Sequence, residues 1–244
     1  EKKAIDSLLA LSKNRKPELQ VAAIEKLAKI EPPAFANRLA DDWGKLSESA
    51  QQVFVSLLAK ANSPKGDVIL QNALGSLLEG KLAKELELDV LTAANARNLP
   101  ALDWMLARYK SGQPKDDPAA EFVTTLAGGN AKKGKLVYEN HVAAQCVRCH
   151  NAGGKGNQVG PELAGIGKRV NKAYLLRSLV TPNSEIAKGF GVTVVELTDG
   201  KSLVGRVGKR TDQSLKLIPP QGEPLEIASD TIKKITESNT SVMP

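Results

Sequence analysis

The sequence predicts a mainly α-helical chain with a small β region near its C-terminal end, and three patterns support this fold class. In residues 1–111, apolar residues recur every three or four positions in seven segments, which is the period of a helix. From Gly191 onward, four or five short β-branched runs predict a small curled sheet or barrel, with a Thr-Asp-Gly turn between the first two. Residues 131–190, between these regions, hold both cysteines of the chain.

The first 111 residues are predicted to form seven short helices joined by tight turns. Pro17, Pro33 and Pro100 lie near helix starts, where a proline costs a helix least. Short helices joined in this way predict stacked antiparallel pairs similar to HEAT or armadillo repeats, with a plain helical bundle as the alternative. The leucine stripes and Met105 are expected in the core of this region.

Changes of pattern along the chain predict four segments. Residues 111–130 contain proline, glycine and aspartate, which predicts a linker with about one helical turn. We expect a helical-repeat domain at 1–125, a second helical domain at 126–190, a small β insertion at 191–239 and a terminal segment of that second domain at 240–244.

The net charge of +7 is concentrated around the cysteines. Ten basic and three acidic residues lie between Ala131 and Phe190, and the rest of the chain is balanced. A localised surplus of this kind indicates an acidic partner. Nucleic acid is not the expected partner, because no aromatic residues are interleaved with the basic ones and no binding motif is present. No apolar run approaches the roughly 18 residues that cross a bilayer, so we expect no transmembrane segment. The charged start of the chain is unlike a signal peptide, so we expect that an exported protein with this sequence is a mature form or a fragment.

Cys146, Cys149 and His150 fit the C-x-x-C-H pattern of haem c attachment. Two thiols three residues apart can each add to one vinyl group of a haem, and the next histidine supplies an axial nitrogen to the iron. A thioredoxin-like site would need a preceding strand in a βαβ unit, and helical sequence lies there instead. A zinc site would need a fourth ligand, and only His141 is nearby. The motif therefore predicts one covalently attached haem c.

The residues around this motif resemble the first half of a class I cytochrome c domain. The matching positions on the first helix are Gly134 and Tyr138, and those of a following G-P-x-L-x-G-I segment are Gly160, Pro161, Leu163, Gly165 and Ile166. The resemblance implies that Tyr138 packs near the haem. It also implies that the carbonyl of Pro161 accepts the Nδ1 proton of His150, which fixes the ring and raises its basicity.

A Met-Pro pair normally follows soon after in such domains, but here it is Met243-Pro244, after the whole β region. This order resembles the haem-binding domain at the C-terminal end of large periplasmic proteins, often behind a β-propeller and helical repeats. A Ser-x-Met-Pro segment closes that domain, and Ser241, Val242, Met243 and Pro244 match it. The resemblance implies Met243 as the sixth iron ligand. A class I domain continues into a final helix that this sequence does not reach, so an open sixth position stays an alternative.

These observations predict a periplasmic mono-haem domain that transfers single electrons on a helical-repeat scaffold. Export is what the resemblance implies, because haem c is attached outside the cytoplasm in bacteria. The domain is not expected to be catalytic itself, and a larger dehydrogenase is one setting for such a module. Its expected partner is an acidic redox protein, with a further protein partner on the repeats. The alternatives are a haem sensor or peroxidase-like enzyme with an open sixth site, and a protein-interaction scaffold.

Overall fold

The computed structural model describes residues 2–32, 34–154, 156–221, 223–238 and 240–243. Pro33 and Pro244, which the sequence analysis singled out, lie outside these ranges. The chain forms two compact units, Glu1–Gly129 and Asn130–Pro244. The fold is mainly helical, with an antiparallel sheet in its C-terminal part, as predicted. No helix in the described ranges combines the length and the apolar character that crossing a membrane requires.

The described part of the first unit contains the seven predicted helices. They are α1 (Lys2–Ser12), α2 (Pro17–Ile30), α3 (Phe35–Leu39), α4 (Glu48–Leu58), α5 (Pro64–Leu78), α6 (Lys84–Arg97) and α7 (Pro100–Ser111). Pro17 and Pro100 each open a helix, where the missing backbone N–H leaves no bond unmade. The predicted linker contains a 3-10 helix, Ala120–Leu126, which packs against α6.

The helices of this unit pack in two rows. Helices α2, α4 and α6 contact one another in succession, and α3, α5 and α7 do the same. The fully buried Phe35 and Phe54 meet edge to face with ring centroids 5.8 Å apart, inside a continuous apolar core. Met105 is half-buried against this core, as expected. Arg97 of α6 donates to both carboxylate oxygens of Asp67 of α5, at 2.8 and 3.0 Å.

The second unit begins with helices and ends in the sheet. Its α-helices are α8 (Ala131–Asn140), α9 (Ile166–Arg169) and α10 (Lys172–Val180), and its strands are β1 (Thr193–Leu197), β2 (Ser202–Arg210), β3 (Ser214–Ile218), β4 (Leu225–Ala228) and β5 (Ile232–Glu237). The strand order is β4-β3-β2-β1-β5, with every pair antiparallel. The predicted turn between the first two strands is present, with Gly200 at φ +89°. Val195, Leu215, Leu217 and Ile227 form a small separate core on the sheet.

Replacing Phe54 with alanine should remove much of the stability of the first unit. A fully buried phenylalanine truncated to alanine leaves a cavity and costs about 3–5 kcal/mol. The measurement is denaturant unfolding followed by the helical circular dichroism signal. The control is Val68→Ala on α5, where the side chain is 53% exposed and the expected change is within about 0.5 kcal/mol. Equal losses for the two variants would contradict the described core.

Candidate functional site

The two cysteines and His150 lie on one tight turn of the second unit. The turn is a 3-10 helix, Cys146–Arg148, entered through Gln145 at a left-handed φ of +45°. The backbone N–H groups of Cys149 and His150 both donate to the carbonyl of Cys146, at 3.2 and 2.9 Å. Both thiols are free and half-buried. The turn therefore presents two unpaired thiols and an imidazole within five residues.

The imidazole of His150 is oriented by the residue that the resemblance implied. Its Nδ1 lies 2.8 Å from the carbonyl oxygen of Pro161. A carbonyl oxygen only accepts, so a hydrogen bond here requires the proton to lie on Nδ1. Nε2 is then left with its lone pair, the form in which a histidine binds a metal.

Two glycines allow the backbone to pass close to His150. Gly160 is buried, and a Cβ there would lie 2.6 Å from Cε1 and 2.8 Å from Nδ1 of the imidazole. Gly156 adopts φ +108°, and a Cβ there would overlap the carbonyl oxygen of His150. Larger side chains are excluded at both positions. Residues 153, 154 and 156–165, here called the glycine loop, thus pass closely around the turn.

Tyr138 ties helix α8 to the same turn. Its hydroxyl donates to the carbonyl of His150 at 2.8 Å, and burial raises the pKa of this hydroxyl above its ordinary value. Helix α8 is capped by Asn130, whose side chain accepts from the backbone N–H of Lys133. Gly134, on the same helix, has open space where a Cβ would point.

The remaining residues of the G-P-x-L-x-G-I segment shape the end of the glycine loop. Leu163 and Ile166 are half-buried, and Gly165 caps α9 at φ +68°. The backbone N–H of Leu163 donates to the carbonyl of Asn151 at 2.7 Å. Arg169 donates to the carbonyl of Glu162 at 2.6 Å, so this side of the loop is held by a cation.

The residues around the turn fit a large apolar group. From residue 130 to residue 192, Gly160 is the one buried residue among those described. Leu136 and Val137 of α8 and Leu179 of α10 are 60%, 51% and 62% exposed, which is high for large apolar side chains. A porphyrin would cover such side chains, and the two thiols and the Nε2 atom are the donors that a haem c uses. We conclude that the donor set and its apolar surroundings fit a haem.

The structure also places the candidates for a sixth ligand. Met243 is half-buried, and its N–H donates to Ser241 Oγ at 3.0 Å. The N–H of Ser241 donates in turn to Asn183 Oδ1 at 2.7 Å, just after α10. His141 is exposed, and its Nδ1 accepts from the N–H of Ala144 at 3.1 Å. Across the described ranges, no group of three or more His, Cys, Asp or Glu residues could hold a metal ion.

Sequence reasoning missed three side chains that shape this site. They are Arg169, Asn183 and Arg206. Arg169 lies three residues after the G-P-x-L-x-G-I segment, and it could have been noticed as a cation beside that segment. The other two reach their acceptors from distant parts of the second unit, and no local pattern marks them.

Comparison with known families agrees with the site. Residues 131–193 match the family model described as Cytochrome c. This match supports a cytochrome c-like haem-binding domain in this part of the chain, and that family implies a covalently bound c-type haem with iron. None of the curated proteins matches the chain.

Replacing Gly160 with alanine should disturb His150 selectively. The new methyl group would press on the imidazole, and overpacking of this kind costs about 1–3 kcal/mol. The expected result is a lower unfolding midpoint of the second unit and shifted electron paramagnetic resonance (EPR) g-values of the ferric iron. The control is Gly167→Ala in α9, where nothing lies within 4 Å of the new carbon. Identical spectra for the two variants would contradict the described contact.

Proposed function

We propose that this protein is a mono-haem c-type electron-transfer module of the periplasm. The hydrogen bond between His150 Nδ1 and Pro161, which leaves Nε2 free to bind iron, carries the proposal. Cys146 and Cys149 attach the group through thioether bonds, and His150 holds the iron from one side. A bound haem supplies a one-electron couple between Fe(III) and Fe(II). The polypeptide supplies attachment, ligand orientation and a docking surface, and no catalytic residue is assigned.

Met243 is proposed as the sixth ligand. A thioether favours Fe(II) and raises the reduction potential, which suits an electron carrier. Support comes from the terminal segment, which is anchored by the hydrogen bond between Ser241 N–H and Asn183. Met105 packs against the core of the first unit and is not proposed as a ligand. The competing functions, a haem sensor or a peroxidase-like enzyme, both require an open sixth position.

The docking surface is proposed to be basic, for an acidic redox partner. The lysines between residues 131 and 190 are exposed; those described are Lys132, Lys133, Lys135, Lys168, Lys172 and Lys188. Complementary charge raises the association rate of redox partners, and salt weakens this effect. A larger dehydrogenase is one source of electrons for a module of this kind.

The first unit is proposed to be a HEAT-like scaffold for a protein partner. The two rows, α2-α4-α6 and α3-α5-α7, support this proposal, because stacked helix pairs place equivalent helices side by side. The proposed domain ranges remain 1–125, 126–190 and 191–239, with residues 240–244 completing the haem domain.

The chain, produced in a host that exports it and attaches haem c, should carry one covalent haem. We expect the intact mass after acid-acetone extraction to equal the polypeptide plus one haem. In the double variant Cys146→Ala, Cys149→Ala the mass should fall to that of the bare polypeptide. The control is His141→Ala, whose side chain is exposed and should leave attachment unchanged. Colourless extracted protein at the bare mass would refute the proposed function.

Replacing Met243 with alanine should open the sixth position. The far-red sulfur-to-iron charge-transfer band of the ferric protein should vanish, and the ferrous protein should bind CO rapidly. The matched control is Met105→Leu, a volume-conserving change in the first unit that should alter neither property. Rapid CO binding by the unaltered protein would instead favour a sensor or a peroxidase-like enzyme.

A further inference from the structure

One side chain of the β-sheet reaches the glycine loop. Arg206 lies on β2, where it pairs with Ile218 of β3. Its Nε donates to the carbonyl of Val159 at 2.9 Å, and a terminal guanidinium nitrogen donates to the carbonyl of Gln158. The first of these bonds spans 47 positions of the sequence. Arg206 therefore joins the β region to the loop that encloses His150.

The contacts of Arg206 require the shape of a guanidinium. Its carbon lies 4.7 Å from the centroid of the Phe190 ring, while the nitrogens face two successive carbonyls. A planar fork of donors can stack on a ring and serve two acceptors at once, whereas a lysine ammonium is a compact point charge on a flexible stem. Burial lowers the pKa of this guanidinium, which nevertheless stays charged at neutral pH.

The segment that Arg206 holds continues directly into the acceptor of His150. Val159 is followed by Gly160, which packs against the imidazole and donates its N–H to the carbonyl of Cys149 at 2.6 Å. The next residue, Pro161, provides the oxygen 2.8 Å from Nδ1. Any displacement of residues 158 and 159 is therefore passed within two residues to the hydrogen bond of His150.

We propose that Arg206 is a positioning residue that sets the orientation and the basicity of His150, and through them the reduction potential of the site. The inference rests on the proposed function. A firm hydrogen bond from Nδ1–H makes the imidazole a stronger electron donor and favours Fe(III), and a loosened one favours Fe(II). The β-sheet would thus tune the iron from outside the turn that carries His150.

The test is Arg206→Lys in the full chain with haem attached. Lysine keeps the positive charge near the site but loses the fork, so the variant separates positioning from charge. The reduced-to-oxidised ratio at a fixed ambient potential should rise by about three- to tenfold, tenfold being about 59 mV for a one-electron couple. The EPR g-values of the ferric protein should shift as well. The control is Arg210→Lys, an exposed position at the end of β2, which should change neither.

A second variant distinguishes the loss of the Arg206 contacts from a general disturbance of the sheet. Phe190→Leu removes the ring beneath the guanidinium and leaves both carbonyl contacts available, so a smaller shift in the same direction is expected. Equal potentials and spectra for Arg206→Lys, Phe190→Leu and the unaltered protein, all with haem attached, would overturn the inference. Failure of the unaltered protein to carry haem would instead overturn the proposed function, and this inference with it.

Discussion

The helical part of the second unit has no buried apolar side chain among its described residues, and this lack of a core governs the unit. The first unit has a buried apolar core that includes Phe35 and Phe54, and the sheet has its own small core at Leu215 and Leu217. Among the described residues from 130 to 192, only Gly160 is buried. A segment without its own core needs an added apolar surface to hold one arrangement. Covalent attachment suits such a segment, because the group is retained where little core surrounds it.

Hydrogen bonds to carbonyl oxygens supply the order that packing does not. Tyr138, Arg169 and Arg206 each donate to main-chain carbonyls of the turn or of the glycine loop. The imidazole of His150 has the same kind of acceptor, at Pro161. Because these side chains donate to main-chain carbonyls, they fix the path of the loop backbone independently of the side chains that the loop carries. The loop can therefore be shaped before the iron is bound, which is the condition for a preorganised ligand.

The sequence predicted most of the fold, because helix and strand periods are local properties. The seven helices of the first unit and the strands of the sheet follow from apolar spacing and turn residues. Cys146, Cys149 and His150 followed from a motif of five residues, and Pro161 from a family resemblance. Asn183 and Arg206 were missed because their contacts span 58 and 47 positions and depend on strand register. Local patterns carry no information about such pairings.

The position of the sheet in the chain also has a physical explanation. Strands β1 and β5 pair antiparallel, so the two ends of the β region lie side by side. The N–H of Ser238 donates to the carbonyl of Val192, and the N–H of Val192 donates to the carbonyl of Thr240. A β segment whose ends are neighbours can follow a helical region without separating the chain on its two sides. After the sheet, the N–H of Ser241 therefore bonds to Asn183, which lies before the sheet in the sequence. The sheet itself lies where Arg206 can donate to the glycine loop.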